Sequence, residues 1–327
     1  MTIDRRSFLY AGGMTAAAAP FATTAHAASH GARTVTDFGV EPNADRDQTG
    51  ALQKAIDELS KAGQTVLLPG GFYRAGKLKL PVGSSIAGTP NRTLLHVQEL
   101  ASQHPATQVA AFGFYGLDFQ GIDEKSSSPQ LLLKNAFVSI VACHFQGTGG
   151  AAIALENCSG ILDGLSVDGY LSNVISISGS NPGPFGADGL TVRACRFSNC
   201  GLAISASNGR TTITQNHFDQ CATGIVASGT SIVNGNIITG AKNFGLKLGS
   251  AKGNGHILAQ GNILRDCRIG IGVSSSGDDI MASLNMIAGA KDGAIRAFDG
   301  DRLVGPDLAR QSAEAYLNLM VAGNVVR

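Results

Sequence analysis

Three residues have side-chain types suited to acid–base chemistry: Lys247, Arg296 and Asp292. A lysine can take a proton, an arginine can hold a developing anion, and a carboxylate can do either job. The pair Asp278-Asp279 follows Ser274-Ser275-Ser276-Gly277. It reads as two oxygen donors for calcium or as a plain Asp-rich turn. Softer metals have little to bind. The six cysteines (Cys143, Cys158, Cys195, Cys200, Cys221 and Cys267) contain no Cys-x-x-Cys, no His-x-His spacing exists, and the one His-x-x-x-His spacing, His26 to His30, lies near the N-terminus. That disfavours zinc and iron–sulfur sites. A P-loop, a Gly-x-Gly-x-x-Gly after a strand and a Cys-x-x-Cys-His are all missing. Each charged candidate also has an inert reading. Lys or Arg on a sheet surface is commonly a solvated edge guard, and Asp292 before Gly293 fits a turn.

The elements that must position these groups are unusual in composition. The chain has 327 residues with 43 Gly, no Trp, 6% aromatics and 15% charged residues. That combination suits many turns and tightly stacked strands. Hydrophobic residues make up 43%, enough for a core, which excludes wholesale disorder. A net charge of +1 argues against a nucleic-acid partner.

Residues 1–27 read as an export signal. Asp4-Arg5-Arg6-Ser7-Phe8-Leu9 is followed by an Ala-rich run ending in Ala25-His26-Ala27, with cleavage expected after Ala27. The Arg5-Arg6 pair points to the twin-arginine translocation machinery, and hence to a periplasmic or secreted protein. No later stretch is apolar enough to span a membrane.

Residues 28–327 read as one domain of repeats, clearest over 190–290. Cys195, Asn216, Asn236, Asn262 and Asn285 recur at spacings of 21, 20, 26 and 23 residues, and Asn324 continues the column. Two positions on, Phe197, Phe218, Ile238, Leu264 and Ile287 repeat an apolar site. Coils of 20–26 residues with short β-runs between Gly, Asn and Ser suggest a parallel β-helix. Stacking at ~4.8 Å would then align like residues, giving an Asn ladder at a bend and an internal apolar stack. Cys200 and Cys221 share one column, close enough for a disulfide, or else are inward thiols. The chain ends at Arg327 inside a coil, which reads as a bare last coil or as a piece of something longer.

Upstream, Thr34–Val40 reads as a β-run. Asp47 is expected to cap a helix over about 48–62, stopped by Gly63, with Ala51, Leu52, Ala55, Ile56 and Leu59 on one face. Such a helix would close the solenoid end. The runs Asp37-Phe38-Gly39, Ala51-Leu52-Gln53-x-Ala55-Ile56 and Val66-Leu67-Leu68-Pro69-Gly70-Gly71-x-Tyr73 resemble the N-terminal region of pectate-lyase-like right-handed β-helix proteins. With its leader, the chain looks like the twin-arginine-translocated β-helix repeat proteins of bacteria. The resemblance covers about 33–327 and speaks for fold more than for activity.

The resemblance implies a substrate groove over one sheet. Its outward column would be Ala154, Ser176, Ser205, Val226, Lys247, Gly272 and Arg296. A lyase or epimerase acting on uronate glycans would use Lys247 as base, Arg296 to hold a carboxylate, and Asp292 beside them. A hydrolase needs two carboxylates, and Asp292 is the one acid on this face. The polygalacturonase set (Asn-Thr-Asp, Asp-Asp in register, Gly-His-Gly, Arg-Ile-Lys) and the Asp-Pro-His-Asp of mannuronan epimerases are absent. Tyr170, Phe185 and Phe298 are candidates for stacking on sugars. Insertions at 179–189, 250–255 and 298–316 would wall the groove, the last with a short helix from Pro306. The expectation is a polysaccharide-active protein. The alternatives are a non-catalytic module that binds glycan or cell envelope, and a scaffold without ligand.

Overall fold

The computed structural model describes residues 33–105, 108, 110–121, 128–147, 149–179, 189–251, 253–299, 302–310, 313 and 316–327. Arg5, Arg6, the Ala27 cleavage site and Phe185 lie outside them. Residues Thr34–Arg327 form one compact unit.

The chain winds through three parallel sheets, here A, B and C, one strand of each per coil. Sheet A stacks 85–87, 110–115, 136–141, 159–163, 190–193 and onward to 319–322. Sheet B stacks 93–97, 118–121, 144–146, 166–168, 196–198, 217–219 and onward to 325–326. Sheet C stacks 131–134, 153–156, 173–178, 202–207, 223–227, 244–248, 269–274 and 293–299. Strand alternation sends every second side chain inward, and register sets like on like. The rings of Phe197 and Phe218 stack 4.9 Å apart at 6°, and those of Phe119 and Phe145 at 4.6 Å and 9°. Each such buried ring contributes about 1.5–3 kcal/mol.

The corner from A to B explains the Asn column. Ala142, Ala194, Gln215, Gly235, Gly261, Leu284 and Gly323 all take the left-handed conformation there, with φ between 51° and 64°. The next residue points inward: Cys143 and Cys195 in earlier coils, then Asn216 through Asn324. The Asn216 Oδ1 accepts the Cys195 backbone N–H at 2.9 Å, and from Asn236 onward each Oδ1 accepts the backbone N–H and the Nδ2 of the Asn before it, as Asn262 does from Asn236 at 3.0 Å. Its own Nδ2 also donates to a carbonyl, Val233 for Asn262 at 2.9 Å. Asn236 and Asn262 are fully buried and fully bonded, which is how a polar column survives inside.

The N-terminal helix spans Thr49–Lys61. The Asp47 carboxylate accepts from Thr49 N–H at 2.8 Å and from the Thr49 hydroxyl, and these bonds hold its titration below the usual value. Gly63 ends the turn at φ 65°. Leu52, Ala55, Ile56 and Leu59 are buried, and the helix packs on the strand Gly71–Leu80. Thr34–Val40 differs from the expected β-run. Val35–Phe38 is a 3-10 turn stopped by Gly39 at φ 80°, burying Val35 and Phe38 three residues apart. The expected helix at Pro306 is also replaced. Arg302–Asp307 is a strand folded antiparallel onto Arg296–Asp299, and proline is tolerated at such an edge. No helix among the described residues is long and apolar enough to cross a membrane.

Candidate functional site

The outer face of sheet C carries the expected column. Ala154, Ser176, Ser205, Val226, Lys247, Gly272 and Arg296 are register partners in successive coils. The first four are small or short, so this half of the face is shallow and bears hydroxyls. It begins beside a Lys134–Glu156 ion pair at 2.8 Å.

The chemistry lies at the other end. Lys247 alternates with inward Leu246 and Leu248. Its ammonium sits 4.8 Å from the Phe298 ring centre and 5.7 Å from that of Phe244. The two rings are tilted at 59° and cover Gly272, where a Cβ would come within 2.7 Å of the Phe244 ring. Ring faces attract an ammonium, so the two aromatics hold this side chain in place. Phe244 escapes a sequence reading because its register neighbours are Thr223 and Ile269; its ring partner, Phe298, comes from two coils further on.

The other proposed catalytic groups are engaged elsewhere. Arg296 Nη1 donates to the Asp292 carbonyl at 2.9 Å, and Nη2 to the Gly305 carbonyl at 3.1 Å. Its Nε is buried without a partner among the described residues. The Asp292 carboxylate accepts from Arg268 Nε at 2.5 Å. The structure therefore sets Asp292 and Arg296 on one coil, with Lys247 two coils before them.

The aromatic expectations change as well. Phe298 is 4% exposed, covered by the antiparallel hairpin, so it offers the Lys247 ammonium a ring and offers a sugar none. Tyr170 is 2% exposed; its ring packs on Gly147 and its hydroxyl donates to Gln130 Oε1 in the core. Burial pushes that phenol upward.

The calcium expectation meets the wrong polarity. Asp278 is fully buried, and its carboxylate accepts N–H groups from Gly255 at 2.7 Å, Ser250 at 2.9 Å and Gly229 at 3.3 Å. Amide donors satisfy an anion and leave its lone pairs unavailable to a cation. Asp279 instead points outward and pairs with His256 Nδ1 at 3.2 Å. Among the described residues no cluster of His, Cys, Asp and Glu could hold a metal.

Cys200 and Cys221 are free thiols in adjacent coils. Contact with Cys221 and burial both push the Cys200 thiol up. Burial raises Cys143 and Cys195 to about 12, so these are inert packing groups. His144 and His217 stand on the outer face of sheet B, in register with Ser166 and Arg196.

The family described as "Right handed beta helix region" matches residues 130–304, and "Rhamnogalacturonase A/epimerase, pectate lyase-like" matches 32–104. No curated protein matches. Among solved structures, the chain is similar to PfbA, a surface adhesin of Streptococcus pneumoniae, at 14% identity and TM-score 0.61 over 90% of this chain and 91% of that one. It is similar to a tailspike of E. coli bacteriophage HK620, solved with a pentasaccharide, at 14% identity and TM-score 0.64 over 90% and 63%. A hyperthermoactive exopolygalacturonase from Thermotoga maritima matches at 10% identity and TM-score 0.51 over 81% and 90%. At such identities the likeness is one of fold. The matched span 130–304 takes in most of the stacked coils, and the chain belongs to the right-handed β-helix family.

Proposed function

We propose that this is an exported protein that binds an acidic polysaccharide along the outer face of sheet C without transforming it. The Lys247 ammonium carries the reading. It is held over two rings at the end of a shallow, hydroxyl-bearing strip, where a sugar carboxylate can meet it. The strip runs parallel to the coil axis, as an extended glycan would. Support also comes from the pectate-lyase-like match and from related folds solved with a pentasaccharide or as an exopolygalacturonase. The binding reading is favoured over a lyase or epimerase because Asp292 is tied to Arg268 and Arg296 to backbone carbonyls. Export rests on Arg5-Arg6 and the Ala27 site; replacing both arginines by lysine should hold the protein in the cytoplasm.

The test is calorimetric titration with polygalacturonate, alginate and a neutral glycan, alongside absorbance of unsaturated uronate. Binding to an acidic glycan is expected, with no absorbance rise. Lys247→Met should weaken it roughly 10–100-fold, the loss of one charge-assisted hydrogen bond. An absorbance rise abolished in Lys247→Met would restore the lyase reading. No binding to any acidic glycan would end both.

A further inference from the structure

The outer face of sheet A changes character along the solenoid. Its central column runs in register through Thr191 and Thr212, then Ile232, Leu258, Met281 and Met320. In the last four coils it is apolar throughout. Ile232, Met281 and Met320 are 42%, 37% and 54% exposed. Single apolar residues on a surface are ordinary. Four in register make a continuous strip about 14 Å long, which marks a contact site. The strip floors an open groove of about 690 Å³, with Leu317 at its end and His256 and Asp279 along one side.

We propose that this strip is an isologous interface with a second copy of the chain, the two solenoids antiparallel. The argument is self-complementarity. Place a twofold axis across the strip, midway between the coils of Leu258 and Met281. Leu258 then faces the partner's Met281, and Ile232 faces the partner's Met320. His256 and Asp279 are register partners in those same two central coils. The same axis therefore sets His256 opposite the partner's Asp279, and Asp279 opposite the partner's His256. One operation matches both the apolar strip and the polar row beside it, as an isologous contact requires. A twofold along the solenoid axis fails this test. It would carry the His256–Asp279 row onto the opposite side of the strip, where Gln260 and Ser283 stand.

The experiment is sedimentation velocity of the full chain across two decades of micromolar concentration. A dimer mass is expected at the upper end. Met281→Glu should weaken the dimer at least about tenfold, since it sets a carboxylate in an apolar contact. His256→Asp should weaken it by placing acids opposite acids, and Asp279→His by placing imidazoles opposite each other. The double variant His256→Asp/Asp279→His should recover dimerisation to within about threefold of the original, because the cross-pairing is restored. All three substitutions sit at exposed positions, so an unchanged melting temperature verifies the fold. A monomer at the highest concentration would overturn the proposal. So would a dimer indifferent to Met281→Glu, or a double variant as weak as the singles.

Discussion

The ammonium of Lys247 lies 4.8 Å from the ring centre of Phe298, which comes from a strand two coils further on. The residue between them is Gly272, and its missing side chain lets the rings settle on the backbone. Gly272→Ala should therefore be felt even though its backbone conformation suits alanine. The new methyl meets the Phe244 ring, and relief requires that ring to move. We expect a loss of about 1–3 kcal/mol from overpacking, read by chemical denaturation. Glycan affinity should fall with it, since Lys247 loses its support. Unchanged stability and affinity would show that the rings do not hold the ammonium.

The Asn ladder yields a graded prediction. Asn262→Ala removes the acceptor for two donors of Asn236 and a donor to Val233, all buried. Leaving those groups unpaired should cost about 2–4 kcal/mol. Asn324→Ala breaks equivalent bonds to Asn285 at a half-buried position, where water can replace them. Its cost should stay near 1 kcal/mol. Equal losses in denaturant melts would contradict the burial argument.

This ladder also shows why so much of the fold is legible in the sequence. A left-handed corner followed by an inward residue recurs in every coil, so the same residue type returns at each coil's spacing. The sheet C column follows from alternation alone once one strand is placed. What resists reading is cover. Phe298 faces out of its sheet by alternation, yet the hairpin Arg302–Asp307 buries it. Tyr170 is buried because Gly147 leaves room for its ring. The Thr34–Val40 run looks strand-like because Thr and Val favour strands, but burial of Val35 and Phe38 follows a turn's spacing. The apolar strip on sheet A did leave a signal: Ile257-Leu258-Ala259 and Ile280-Met281-Ala282 lose the polar outward residue of a half-exposed strand.

Asp278 separates an internal anion from a calcium ligand. Three amide donors converge on its carboxylate. Asp278→Asn turns one oxygen into a donor facing those N–H groups, and should cost about 1–3 kcal/mol. Millimolar calcium or a chelator should leave the melting temperature of the unaltered protein unchanged. A calcium-dependent rise that disappears in Asp278→Asn would reinstate the metal site.

Asp307 makes the hairpin over Phe298 sensitive to acid. Burial pushes its carboxyl up. The backbone N–H groups of Ile295, Ala294 and Ala309, with Arg310 nearby, outweigh this and leave it below the usual carboxylate value. A depressed folded value means the stabilising contribution is present above the unfolded value of about 3.9 and is lost as pH falls through the folded one. Asp307→Asn keeps the shape but removes the charge. The difference in melting temperature between the two proteins should be constant from neutral pH to about 5 and shrink below about 4. Taking the difference removes the other carboxylates, which titrate in both. Amide exchange at Ala294, Ile295 and Ala309 should speed up in the variant at neutral pH. In acid, where the Asp307 carboxyl is protonated, the two proteins should exchange at the same rate at matched pH. A difference that persists undiminished to the lowest pH would mean that the geometry of the side chain, and not its charge, holds the hairpin down.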